Sequence, residues 1–318
     1  MLLSFVVPCY NEEGNVQLFH DAAVRAIREQ TDDFELIFIN DGSKDGTLAR
    51  LREIARTSDA RVRVINFSRN FGKEAGIYAG LTHARGDYAC VIDADMQQRP
   101  EVAMEMLSFL QSHPDYDCVT AFQQERHEGR LLAFYKRAFY RLINRLSEVE
   151  FVSGASDFRM FNRKMIDAVL SMSEYYRFSK GLFAFVGFNT YFMPYEAQAR
   201  ASGTSKWSFW KLFRYAVEGI VSFSTAPLRL TTVLGLLFSG ASFLYLLIVV
   251  LQKLLVGIEI AGYPTLVALI LLLGGIQLLA LGIIGEYLAR NYVETKRRPV
   301  YIVRDVIESE AERGREAK

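Results

Sequence analysis

Short apolar runs alternate with helix-spaced apolar positions through the first part of the chain. Leu2 to Val7 is a run with β-branched residues, closed by Pro8, and predicts a buried strand. Val16, Phe19, Ala23 and Ile27 recur at helical spacing and predict a helix from Val16 to Gln30. Phe34 to Ile39 reads as a second strand, and Asp45 or Thr47 can cap a helix running through Leu51 and Ile54. Val62 to Phe67, Tyr88 to Ile92 and Cys118 to Phe122 give three more strands, separated by helices over Glu74 to Ala84 and, after Pro100, Glu101 to Ser112. The order βαβαβαβαβ predicts an α/β fold with a mostly parallel, doubly wound sheet and right-handed crossovers. A helix near Lys164 to Met172 and a strand over Tyr191 to Tyr195 follow.

The pattern then changes. Thr231 to Leu251 and Pro264 to Gly285, about 21 and 22 residues, carry no formal charge, and each is long enough to cross a hydrocarbon layer of about 30 Å. Between them, residues 252–263 carry only Lys253 and Glu259. The flanks hold Lys206, Lys211, Arg214 and Arg229 before, and Arg290, Lys296, Arg297, Arg298 and Arg304 after. The excess of Lys and Arg puts both ends of this two-span hairpin in the cytoplasm. Gly235, Ser239 and the Gly274-Gly275 pair would let helices approach closely and oligomerise. The start at Met1 lacks the basic-then-apolar pattern of a cleavable signal peptide. The expected organisation is a cytosolic domain over 1–205, a juxtamembrane amphipathic segment over 206–228, a transmembrane hairpin over 229–289 and a cytosolic basic tail over 290–318.

Charge and composition exclude several classes. A formal charge of +1 offers no bulk field for nucleic acid. The three cysteines, Cys9, Cys90 and Cys118, lack metal spacing and lie in or beside strands, so buried reduced thiols are expected. The four histidines make no paired zinc motif. Two stretches mix cations with aromatics: Arg126 to Arg145, and Arg200 to Lys206 followed by Trp207, Phe209, Trp210 and Phe213. The first reads either as an anion or membrane-surface site or as a solvated helix face. The second reads either as a headgroup-layer helix or as a buried amphipathic one.

Each strand end carries polar residues, which would bring Tyr10, Glu12, Asp41, Asp93 and Asp95 to one sheet edge, where open α/β sheets bind ligands. In Val91-Ile92-Asp93-Ala94-Asp95-Met96-Gln97 an apolar run ends in two acids. By itself this is either an Asp-rich turn or a pair of oxygen ligands for a hard divalent cation on a phosphate. Neither G-x-G-x-x-G nor a P-loop occurs, and Gly72, Gly76 and Gly80 read as helix-packing glycines.

In order along the chain, Pro8-Cys9-Tyr10-Asn11-Glu12-Glu13, Asn40-Asp41-Gly42-Ser43, Asn70-Phe71-Gly72-Lys73 and Asp93-Ala94-Asp95-Met96-Gln97 resemble the successive motifs of family 2 glycosyltransferases with the GT-A fold. Ser156-Asp157-Phe158-Arg159, Arg200 to Lys206, the hairpin, and Gly285-Glu286-Tyr287 through Lys296-Arg297-Arg298-Pro299 are similar to its polyprenyl-phosphate branch. That branch includes bactoprenol glucosyltransferases and dolichyl-phosphate mannose synthases. The resemblance covers nearly all of the chain up to about Arg304.

The resemblance implies a bacterial inner-membrane, multi-pass enzyme, a homo-oligomer expected as a tetramer, that moves one sugar from a UDP-sugar to undecaprenyl phosphate for cell-surface glycan modification. Glucose is the first choice, with aminoarabinose, hexosamine or mannose as alternatives. It further implies that Asp95, assisted by Gln97, binds Mg²⁺ or Mn²⁺. Pro8, Tyr10, Glu12 and Asp41 would hold the uridine, with Asp93 and Ala94 as further donor contacts. Arg200, Ser205 and Lys206 would close over the donor phosphates, and Arg126 and Arg137 would take the acceptor phosphate. Asp157 lies where relatives place a catalytic acid. A phosphomonoester is already largely dianionic at neutral pH, so Asp157 would serve in positioning, through Arg159 or the sugar, as much as in deprotonation. A processive polysaccharide synthase is disfavoured because Gln-x-x-Arg-Trp does not occur and only two spans are present. A non-catalytic scaffold is disfavoured because Asp93, Asp95 and Gln97 occur together.

Overall fold

The structure is a computed structural model that describes residues 1–123, 154–195, 224–256 and 262–316, together with residues 141, 144, 145, 147, 149, 152 and 221. Its strands are β1 (Leu3–Cys9), β2 (Phe34–Asn40), β3 (Arg61–Phe67), β4 (Tyr88–Val91), β5 (Cys118–Gln123), β6 (Ala155–Asn162), β7 (Thr190–Tyr195) and β8 (Val303–Glu308). The helices are α1 (Val16–Arg28), α2 (Thr47–Thr57), α3 (Lys73–His83), α4 (Pro100–Ser112), α5 (Arg163–Ser171), α6 (Ser179–Phe185), α7 (Ala226–Val256), α8 (Tyr263–Thr295) and α9 (Glu310–Glu316).

One eight-stranded sheet runs in the order β7-β5-β6-β4-β1-β2-β3-β8. Its centre, β3-β2-β1-β4, is parallel, with apolar cores on both faces. In β1 the alternating residues Leu3, Phe5 and Val7 pack with α1, α2 and α4. Val6 points the other way, joining Ile37, Ile39 and Ile65 against α3 and α5. Burying a side chain such as Phe5 or Phe38 contributes on the order of 1.5–3 kcal/mol. Cys9, Cys90 and Cys118 are free and buried, as their placement in strands predicts.

The sheet is mixed beyond this centre, which corrects the simple alternating order. β5 does not pair with β4, because β6 lies between them, antiparallel to both. The segment hid its strand character because it carries Asp157, Arg159 and Asn162. Arg159 is nevertheless buried, and its Nε donates to the Ser156 carbonyl at 3.0 Å. The part expected as a tail contains β8, antiparallel to β3, and α9 beside it. An amide chain ties this edge: Asn40 Nδ2 donates to Asn66 Oδ1 at 2.8 Å, and Asn66 Nδ2 donates to Asp305 Oδ1 at 2.6 Å.

α7 and α8 contain 31 and 33 residues, about 46 and 50 Å of helix. Each includes a segment long and apolar enough to cross a membrane, with large apolar side chains such as Leu236 and Leu278 exposed. Where the helices leave these apolar segments, the Tyr287 hydroxyl donates to the Ser224 carbonyl at 2.6 Å.

Candidate active site

β2 follows β1 on one side and β4 lies on its other side, so the chain reverses its direction of winding at β1. A crevice opens beyond the strand ends at such a switch point. Here it is a cleft of about 300 Å³ lined by Pro8, Cys9, Tyr10, Glu12, Asp41, Asn70, Gly72, Lys73, Asp93, Ala94 and Asp95. All the described residues expected to contact the donor are among them. Arg126, Arg137, Arg200, Ser205 and Lys206 lie outside the described residues.

The loops after β1 and β2 are bonded together. Ser43 Oγ accepts from the Asn11 amide at 3.0 Å, Asn11 Oδ1 from the Lys44 amide at 2.9 Å, and Thr47 Oγ1 from the Glu12 amide at 2.8 Å. Asn11 makes this turn with a positive φ of 57°, a conformation Asn tolerates better than most residues. Asn15 Nδ2 donates to Glu12 Oε2 at 2.6 Å and orients that carboxylate at the cleft wall. Tyr10 stands 43 % exposed, leaving its ring available to a ligand face.

Asp41 is buried and anchors the next loop. Its Oδ1 accepts from the Phe71 amide at 2.6 Å and its Oδ2 from the Gly72 amide at 2.9 Å. Burial raises its pKa despite these amides and Arg69. A Cβ on Gly42, whose φ is +62°, would lie 2.5 Å from the backbone of Arg69 and Asn70. The Asp41-Gly42 pair thus fixes the Asn70–Lys73 segment by bonding and by close approach. Of the three glycines read as packing residues, Gly76 and Gly80 do pack, against Pro8 and Val6. Gly72 does not: a Cβ there would meet nothing within 4 Å, and its φ of +98° serves the turn into α3.

Lys73, the first residue of α3, joins two strand ends. Its Nζ lies 2.8 and 2.9 Å from the Asp93 carboxylate oxygens and 3.1 Å from Asp157 Oδ2. Burial draws the Lys73 pKa down, but Asp93 and Asp157 outweigh it and hold the ammonium well above the ordinary lysine range. Burial alone would raise Asp157; Lys73 foremost, then Lys180, hold it below the ordinary carboxylate range. Beside this group Glu74 Oε2 accepts from the Ser179 amide at 2.8 Å and from its hydroxyl, clasping the start of α6.

After β4 the chain turns sharply. Asp95 Oδ1 accepts from the Gln97 amide at 3.1 Å across Met96, whose φ is +61°. Gln97, expected beside Asp95 as a ligand, does not line the cleft. Gln98 instead supports the site, its Oε1 accepting from the Asp93 amide at 3.0 Å. Arg159, expected as a partner of Asp157, has its guanidinium 4.7 Å from the Phe183 ring centroid.

The donor set suits a hard cation, being carboxylate oxygen at a polar cleft wall. No group of three His, Cys, Asp or Glu able to hold a metal occurs among the described residues.

Lys73, Glu74, Gln98 and Ser179 are site residues that the sequence pattern does not mark. Lys73 could have been noticed as a cation opening a helix within a motif otherwise devoted to acids and amides. No sequence signal joins Glu74 to Ser179, 105 residues away.

Comparison with known proteins identifies the family. The model for glycosyl transferase family 2 matches residues 4–170, and that for the GtrB C-terminal hairpin matches residues 226–290. A putative glycosyltransferase, CsbB, of Bacillus subtilis is 41 % identical over 305 residues, covering 96 % of this chain and 92 % of the relative. The prophage bactoprenol glucosyl transferase homolog of Escherichia coli is 39 % identical over 308 residues, covering 96 % and 99 %. The bactoprenol glucosyl transferase of Shigella phage SfV is 39 % identical over 307 residues, again covering 96 % and 99 %.

Proposed function

The chain belongs to glycosyltransferase family 2 and is a glycosyltransferase, and from that premise we propose that it transfers one sugar, glucose, from a UDP-sugar to undecaprenyl phosphate at the cytoplasmic face of a bacterial inner membrane. The observation that carries this reading is the gathering of Pro8, Tyr10, Glu12, Asp41, Asp93, Ala94 and Asp95 in one cleft at the β1/β4 switch point. The hairpin and the relatives named as bactoprenol glucosyl transferases support the lipid acceptor.

In this reading Tyr10 stacks on the uracil, while Pro8, Glu12 and Asp41 bound the nucleoside. Asp95 holds Mg²⁺ or Mn²⁺, which when bound supplies charge neutralisation to the leaving diphosphate. Asp93 is a donor contact, and Arg200, Ser205 and Lys206 close over the phosphates. Arg126 and Arg137 hold the acceptor phosphate, and Asp157 faces the reacting centre as a carboxylate. A phosphate oxygen of the acceptor attacks the anomeric carbon in line. The new C–O bond forms as the bond to UDP breaks, which inverts the anomeric centre. The acceptor needs orientation and loss of water rather than a strong base. Fixed cations around the departing diphosphate stabilise the charge that develops there.

Holding the cleft near the headgroup plane replaces a three-dimensional search for the lipid by a local one. The excess of Lys and Arg outside the short 252–263 connection supports a cytoplasmic orientation of the flanking segments.

The test incubates membranes carrying the protein with several UDP-sugars and undecaprenyl phosphate and weighs the lipid product. A monoglycosylated lipid from UDP-glucose is expected, and Asp95→Asn should abolish it while leaving membrane insertion intact. A polymer, or UDP binding without turnover across the panel, would overturn the reading.

A further inference from the structure

Lys73 is fixed at its root from three directions. The turn before it is held by the two amide bonds to Asp41. The helix after it lies close on β1 and β2, since a Cβ on Gly80 would collide with Val6 and Ile39. Its neighbour Glu74 is clasped by Ser179 of α6. From that base the side chain reaches Asp93, just beyond β4, and Asp157, on β6. These strands are antiparallel neighbours, with Val91 opposite Arg159, so the ammonium closes the gap between two strand ends on one rim of the cleft.

We propose that Lys73 is a positioning residue of the transfer reaction, one that acts by pinning the Asp157 and Asp93 carboxylates in a common geometry. The inference rests on the glycosyltransferase reading of this cleft and assigns a role to a residue that reading leaves unused. A phosphate clamp is the competing role for a lysine in such a place. Geometry argues against it: the ammonium's three short contacts, at 2.8, 2.9 and 3.1 Å, all go to carboxylate oxygens of Asp93 and Asp157, matching its three donors. The same contacts divide the work between the two acids after β4. Asp93 is engaged through both oxygens by Lys73, while Asp95 carries the metal in the proposed reaction.

Without Lys73 the two carboxylates repel and Asp157 leaves its place. A displacement of about 1 Å near reacting groups costs on the order of 100-fold in rate. The test compares wild type, Lys73→Met, Lys73→Arg, Asp93→Asn, Asp157→Asn and the Lys73→Met/Asp157→Asn double variant in detergent. It measures kcat with UDP-glucose and undecaprenyl phosphate, and UDP affinity in Mg²⁺ by calorimetry. Lys73→Met should lower kcat about 100-fold with UDP affinity no lower than that of an Asp93→Asn control, and Lys73→Arg should recover to within about tenfold of wild type. The double variant should be no worse than the poorer single variant, because both remove one unit.

A Lys73→Met enzyme with kcat within threefold of wild type would overturn the proposal, as would multiplicative losses in the double variant. A loss of UDP affinity tenfold beyond that of Asp93→Asn would do the same by making Lys73 a phosphate ligand. Absence of product from wild type would instead count against the transferase reading, and the binding comparison would still decide for or against Lys73.

Discussion

Arg63 of β3 and Glu312 of α9 form a buried ion pair, 3 % and 1 % exposed, across 249 residues of sequence. Arg63 also donates through Nε to Glu308 at 3.0 Å and through a terminal nitrogen to the His83 carbonyl at 3.1 Å. The segment after the two long apolar helices therefore closes the sheet edge. Removing one partner leaves a charge in a poorly solvated place, which costs more than the intact pair contributes. Glu312→Ala should destabilise the soluble part by about 3 kcal/mol, read by denaturant unfolding in detergent. Glu308→Ala, at a carboxylate 20 % exposed, should cost clearly less. Equal losses would show that burial of the pair is not what matters.

Gly42 is the place where the second motif touches the third. A side chain there would need both a strained backbone and space already filled by Arg69 and Asn70. Gly42→Ala should push the Asn70–Lys73 segment away from Asp41, lengthening the two amide bonds to its carboxylate. UDP affinity is expected to fall by about tenfold or more, since hydrogen bonds to charged groups contribute about 1.5–3 kcal/mol. Calorimetric titration with UDP checks this. Gly72→Ala, strained in backbone but free of clashes, should cost less.

The parallel centre of the sheet was legible because each strand is a continuous apolar run and each helix has a clear stripe, as in Val16, Phe19 and Ala23. The cleft followed from the polar residues at the strand ends, since the switch-point rule brings such ends together whatever the loops do. β6 and β8 were not legible, for one physical reason. A strand that buries an arginine over an aromatic ring, or that pairs its charges across a sheet edge, carries the same letters as a solvated loop. Arg159 of β6 looks exposed in the sequence and is buried in the fold, and on β8 Glu308 meets the buried Arg63 of β3. The Lys73 bridge was hidden for the same reason: its partners lie 20 and 84 positions away, and only the insertion of β6 beside β4 brings them to one ammonium.

That bridge carries a definite pH signature. Asp157 is held below its ordinary value of 3.8, because Lys73, Lys180 and Arg159 together outweigh the burial that would raise it. Glu74 and Asp93 are the acids beside the same lysine. With the folded value lower than the unfolded one, the unfolded chain binds the proton more readily, so stability rises with pH through that window. The contribution is fully present above the unfolded value and is lost as pH falls through 3.8 towards the depressed folded value. The stability gap between wild type and Asp157→Asn should therefore be constant from about pH 7 to about pH 5 and close below about pH 4. Lys73→Met removes the largest opposing charge and leaves only Lys180 and Arg159 against burial. Asp157 should then titrate higher than in wild type, and the rise of stability with pH through the acid range should be shallower. Thermal unfolding midpoints of the three proteins across this range provide the measurement. Parallel curves for wild type and Lys73→Met would show that Lys73 does not set the ionisation of Asp157.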